Sequence, residues 1–145
     1  IVSGSRQVIA IEIHDPMMVG EVGFDKRIMT YFLNHGVSYI LKSTNANSIT
    51  MVVWDNEQSK ELIDVLSKDF YQVVAKPAAI VSTMGSNIAM PGFLYRAAKA
   101  LFESGINVES FGQSLMQVNM QFVIAREKYE EAVIALNEEL CHVKP

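Results

Sequence analysis

A single cysteine, Cys141, occurs in 145 residues, so no internal disulfide can form, and a reducing cytoplasm is the expected compartment. No apolar run approaches the ~18 residues that a membrane-crossing helix needs. No charged-plus-apolar leader opens the chain; it begins at Ile1 instead of Met, which leads us to expect a processed product or an excised fragment. Charge is sparse, at 19% of residues, with a net value of -4. Without a basic patch, nucleic acid is not an expected ligand. Histidine is scarce as well. His14, His35 and His142 lie far apart and none shares a short motif with another ligand type, so no metal site is expected. Cys141 beside His142 reads as a packed thiol near a helix end. There is no Gly-x-Ser-x-Gly nucleophile motif, no Walker A phosphate loop and no kinase catalytic-loop pattern. The chain by itself is expected to catalyse nothing and to carry no cofactor.

Hydrophobic residues are plentiful, at half of the total, which excludes disorder and suggests surface covered by a partner. The chain also repeats itself. Shifted by 69 positions, Gly23-Phe24 through Gly36 lies without a gap over Gly92-Phe93 through Gly105, with Arg27 on Arg96. We read two units, residues 1–76 and 77–145, each small enough to lean on a neighbour.

Periodicity supplies the elements of each unit. Residues 1–7 are polar, with a turn at Ser3-Gly4-Ser5, and residues 8–13 form a short β-branched strand bounded by His14-Asp15-Pro16. A helix carries Ile28, Tyr31, Phe32 and His35 on one side and stops at Gly36. Strands are expected over 37–43 and 48–54, then a helix capped by Asp55 or Asn56 with Leu62, Val65 and Leu66 inward. A strand over 71–75 ends at Lys76-Pro77. The second copy gives a strand over 78–83 and a loop to Pro91. Its first helix carries Leu94, Ala97, Ala98, Leu101 and Phe102, followed by a hairpin from 106–111 and 118–124. A last helix over 127–140 has Tyr129, Ala132, Val133 and Leu136 inward. The order is β-α-β-β-α-β twice, an α+β class of two ferredoxin-like units with antiparallel sheets and helices on one face. Residues 141–145 are too few for a closing strand, so the second unit is expected to borrow one or to lack it.

The loops carry the chemistry. The first turn of a helix presents free backbone N–H groups and the positive end of the helix dipole, and glycine lets a carboxylate come close. Both copies place one there, Gly23 and Gly92, after a loop with a second glycine, Gly20 and Gly85. A free amino acid would suit such a loop; so would a tight turn that needs glycine for its backbone alone. Phe24 and Phe93 are expected in the core, and most of the eight methionines likewise, with the loop pair Met17-Met18 the exception.

Pro91-Gly92-Phe93, the run 101–108 with Ser104-Gly105-Ile106-Asn107-Val108, and the stretch 113–124 resemble ACT domains, and more closely the C-terminal regulatory region of aspartate kinases. Gly23-Phe24, Asn34-His35-Gly36-Val37-Ser38 and the strand ending Met51-Val52-Val53 extend the resemblance to the first copy. It implies binding of an end-product amino acid, lysine or threonine, that inhibits a kinase domain N-terminal to these units. It implies homodimers through the ACT units, and ATP and Mg only in the parent kinase domain, which phosphorylates L-aspartate. It also implies a nested alternative, in which the chain ends complete a neighbouring sheet. The effector contacts it implies are Met18, Gly23, Phe24 and Asp25, then Tyr39, Ile40, Thr44 and Asn45. Ile40 and Ala46 stand where lysine-responsive relatives tend to place acids, which leaves threonine or a modified lysine site open. A dimerisation module with a decayed effector site is the alternative reading. An acylphosphatase-like enzyme would need Arg27 or Arg96 as its phosphate-binding cation, and both fall within helices, past the loop.

Overall fold

In a computed structural model, described for residues 2–85, 90–115 and 119–140, the chain runs β1 (Val2–His14), α1 (Phe24–His35), β2 (Leu41–Thr44), β3 (Ser48–Trp54), α2 (Glu57–Asp69), β4 (Gln72–Met84), α3 (Phe93–Glu103), β5 (Ser110–Gln113), β6 (Asn119–Ala125) and α4 (Tyr129–Leu140). It divides into two compact units: Gln7–Pro77, and the residues up to Arg6 together with those from Ala78 onward. The fold is α+β and ferredoxin-like. Among the described residues, no helix is long and apolar enough to cross a membrane.

In the unit Gln7–Pro77 the strands lie in the order β2-β3-β1-β4. Strict alternation sends Ile9, Ile11 and Ile13 to one face of β1, and the antiparallel register sets them opposite Val53, Met51 and Ile49 of β3. That face is roofed by Ile28 and Phe32 of α1 and by Leu62 and Leu66 of α2, all buried in one core. Local signals bound the helices. Gly36 ends α1 in the left-handed region at φ 65°, and the Asn56 side chain accepts the Ser59 N–H at 2.9 Å to start α2. Of the two candidate caps, Asn56 takes the role. The strand expected over 37–43 begins only at Leu41, after the turn at Gly36, although the Ile40 N–H already donates to the Val52 carbonyl of β3.

In the other unit, β6 pairs antiparallel with both β4 and β5. Ala79, Val81, Met120, Phe122 and Ile124 face Ala97 and Leu101 of α3 and Ala132 and Leu136 of α4 in a second core. The opening residues belong here. Val2 packs against this core, Gly4 lies against the backbone of Ile80 and Val81, and Arg6 reaches Glu130 at 3.2 Å and stacks over the Tyr129 ring. They take the sheet position beside β4, where a closing strand would otherwise stand.

Four further expectations need correction. Residues 1–7 do not turn at Ser3-Gly4-Ser5; from Val2 they are strand, with Gly4 allowing a backbone approach that a side chain would block. Lys76-Pro77 does not end a strand, since β4 runs unbroken to Met84 and Pro77 sits where it passes from one unit to the other. The stripe expected on α3 is half covered: Ala97 and Leu101 are buried, whereas Leu94, Ala98 and Phe102 are exposed. The helix placed at 127–140 is preceded by a 3-10 turn, Arg126–Lys128, and begins at Tyr129. Val118 and residues 141–145, with Cys141 and His142, lie outside the described residues.

Candidate functional site

The loop between β1 and α1 is held at its start by one side chain. Asp15 Oδ1 accepts the Met17 N–H at 2.9 Å, which caps the 3-10 turn Pro16–Met18, and the Asp15 N–H donates to the Asn47 carbonyl at 3.3 Å. The second contact ties this loop to the turn between β2 and β3. Met18 is thereby pressed into the core while Met17 stays in water.

Gly23 then opens α1 from φ 85°. A Cβ there would meet nothing within 4 Å, so the position calls for glycine by its backbone conformation and not by lack of space. With no side chain to cap the helix, its first internal bond runs from Arg27 N–H to the Gly23 carbonyl at 3.3 Å. The N–H groups of Phe24, Asp25 and Lys26 precede every intrahelical acceptor, at the positive end of the helix dipole.

Gly23, Phe24 and Asp25 of this helix start border a cleft of about 290 Å³. Met18, Glu21, Gly23, Phe24 and Asp25 line one side, and Lys42, Thr44, Asn45, Ala46 and Ile49 line the other. Lys42 Nζ lies 2.6 Å from Asp25 Oδ1 and donates to Oδ2 at 2.7 Å, closing an ion pair across the cleft. The lysine side chain is only 19% exposed and the aspartate 53%. Cation, anion, helix amides, a hydroxyl and an amide thus share one small space with an apolar floor. Such a space can hold a zwitterion.

Six of the eight residues singled out from sequence line this cleft: Met18, Gly23, Phe24, Asp25, Thr44 and Asn45. Tyr39 and Ile40 do not. They lie ahead of β2, where the Ile40 N–H donates to the Val52 carbonyl at 2.7 Å. Glu21, Lys42 and Ile49 were not singled out. Lys42 had a signal, since it stands two residues before Thr44 on a strand and so shares its face.

Phe24 is both cleft wall and core, and an aromatic cluster fixes it. Its ring meets Phe70 edge-on at 5.6 Å, Tyr31 meets Phe70 at 5.8 Å, and the Arg27 guanidinium stacks over Phe24 and Phe70 at 5.1 and 5.2 Å. The Tyr31 hydroxyl donates to Asp69, and that hydrogen bond, followed by desolvation and the Asp69 charge, raises the phenol above its ordinary pKa. Arg27 is therefore committed to its rings. Arg96, its counterpart, is held by Glu139, through the carboxylate at 3.0 Å and the backbone carbonyl at 2.6 Å. Neither is offered to a phosphate. Gly92 opens α3 at φ 87° as Gly23 opens α1, but residues 86–89 of its loop lie outside the described residues.

Comparison with known proteins agrees with this architecture. A family model described as an ACT domain matches residues 81–140. Aspartate kinase Ask_Ect of Stutzerimonas stutzeri is 32% identical over 143 residues, which span 97% of this chain and 30% of that protein. The chain thus corresponds to less than a third of the curated relatives it matches. The ligand-free regulatory subunit of aspartate kinase from Thermus thermophilus superposes with a TM-score of 0.83 at 17% identity, covering 96% of this chain and 95% of that one. Aspartokinase III of E. coli, in complex with lysine and aspartate, superposes with a TM-score of 0.81 at 16% identity, over 97% of this chain and 33% of that one. Sequence and fold together place the chain among the ACT-domain regulatory regions of aspartate kinases.

Proposed function

We propose that the chain is an allosteric sensor without catalysis of its own, which binds an end-product amino acid, lysine or threonine, in the cleft at the start of α1. The observation that carries this reading is that the start of α1, from Gly23 to Asp25, and Lys42 line one cleft of about 290 Å³, with Asp25 and Lys42 paired in it. An α-carboxylate needs donors and an α-ammonium needs an oxygen, and the cleft offers both within a few ångströms. Binding inhibits a kinase domain N-terminal to these units in the same parent chain, one that phosphorylates L-aspartate with ATP and Mg in the cytoplasm. For that coupling the effector must have different affinities for two arrangements of the protein. The ACT units pair in a homodimer, and the exposed Leu94, Ala98 and Phe102 of α3 support an apolar pairing surface.

Isothermal titration and thermal shift with lysine, threonine and methionine test the sensor. Saturating effector is expected to raise the melting temperature by several degrees, since a ligand at a hundred times its Kd adds about 2.7 kcal/mol. No response to any of the three removes the reading. One observation favours the alternative, a dimerisation module with a decayed site: Asp25 and Lys42 already satisfy each other. Analytical ultracentrifugation separates the two, because a decayed module dimerises alike with and without amino acid.

A further inference from the structure

We infer that Lys42 sets the specificity of the cleft, admitting amino acids with uncharged side chains and turning away basic ones. The inference rests on the effector reading above and refines it. Both oxygens of Asp25 are taken by Lys42 Nζ, at 2.6 and 2.7 Å. The Lys42 side chain is four-fifths withdrawn from water, so solvent screens its charge weakly. Any amino acid can enter by exchange: its carboxylate takes Lys42 and the first-turn amides, and its ammonium takes Asp25. The exchange preserves one cation and one anion on each side.

A basic ligand brings a second ammonium and no second anion. Opposite Asp25 the wall carries no acid: beside Lys42 stand Thr44, Asn45 and Ala46 and apolar Ile49. Glu21 is the other carboxylate of the lining, and it is exposed, where a charge pair is worth little. The extra ammonium would therefore share Asp25 with Lys42 and be repelled by it. In effect the chain carries its own lysine side chain in the place a lysine effector would use. A threonine-sized ligand meets no such conflict, and its hydroxyl finds Thr44 and Asn45.

The test is isothermal titration of the 145-residue chain with threonine and with lysine, on the wild type, Lys42→Met, Lys42→Gln and Glu21→Gln, each checked for an unchanged circular dichroism spectrum. The wild type is expected to bind threonine at least about tenfold more tightly than lysine, and either Lys42 variant to narrow that ratio about tenfold, chiefly by gaining lysine affinity. Equal affinity of the wild type for the two amino acids, or a ratio unmoved in both Lys42 variants, overturns the role of Lys42 while leaving a sensor in place. So does lysine binding by the wild type that Glu21→Gln abolishes, because the acceptor is then Glu21. Absence of binding by either amino acid to any of the four proteins overturns the effector reading itself, and this inference with it.

Discussion

Gly4 and Ile80 approach so closely that a Cβ built on Gly4 would stand 2.1 Å from the Ile80 carbonyl oxygen. The obstacle is backbone, which cannot swing aside as a side chain can. Together with Val2 in the second core and Arg6 on Tyr129, this contact makes the opening strand a structural part of the unit that starts again at Ala78. Gly4→Ala is expected to destabilise that unit by about 3 kcal/mol, the upper part of the range for overpacking. Urea unfolding followed by far-UV circular dichroism reads the change. A midpoint equal to that of the wild type would contradict the close approach.

Arg27 lies over two rings that also touch each other. Its removal in Arg27→Ala loses the cation–π attraction and the packing of its stem, for an expected loss of about 1–2 kcal/mol. A double-mutant cycle with Phe70→Leu should show that about half of this loss disappears when the Phe70 ring is already gone, because the Phe24 ring remains under the guanidinium. Strictly additive losses would mean that the Phe70 ring does not hold the guanidinium.

Tyr31 gives stability a dependence on alkaline pH. Its hydroxyl donates to Asp69, so the folded state raises the phenol above its ordinary value of about 10. A group whose folded pKa is raised contributes fully below its unfolded pKa, and that contribution is lost as pH rises through the folded pKa. The melting temperature of the wild type should therefore fall more steeply above pH 10 than that of Tyr31→Phe. Below pH 9 the two slopes should run parallel. Parallel slopes across the whole range would show that Asp69 does not favour the protonated phenol.

Asp25 separates binding from folding. Its carboxylate is half exposed, and Asn in its place still offers an oxygen to the Lys42 ammonium, so the loss of stability is expected to stay at about 1 kcal/mol. Asp25→Asn should thus melt within a few degrees of the wild type, yet weaken threonine binding at least about tenfold because a charged acceptor for the ammonium is lost. Titration calorimetry of the variant beside a melting curve measures both. An unchanged affinity would move the ammonium site away from α1.

The candidate site was partly legible in the residues. Gly23 announced the start of α1, and the repeat in Gly92 showed that the glycine belongs to a recurring loop. Phe24, Asp25, Thr44 and Asn45 came from the resemblance to aspartate kinase regulatory regions and not from the residue pattern itself. Lys42 was harder to foresee. A lysine on a short strand reads as a solvated residue, and only the proximity of Asp25, 17 residues earlier, draws its ammonium into the cleft. Tyr39 and Ile40 are not part of the cleft lining, and they lie just ahead of β2, which begins at Leu41, later than its composition suggests.

By itself the sequence determined whatever depends on near neighbours. The alternation of Ile9, Ile11 and Ile13 set the face of β1, Gly36 stopped α1, the Asp55-Asn56 pair marked the start of α2, and the 69-residue repeat doubled the unit. Tertiary structure decided which strand lies beside which. Period-two alternation names a buried face but not the strand at its edge, so nothing local told residues 2–6 from a polar turn or showed β4 running on through Pro77. The exposure of Leu94 and Phe102 was decided in the same way, because a helix can present more apolar surface than its own unit covers. The Asp25–Lys42 pair belongs there too: an ion pair is set by distance in space, which composition and spacing along the chain do not measure.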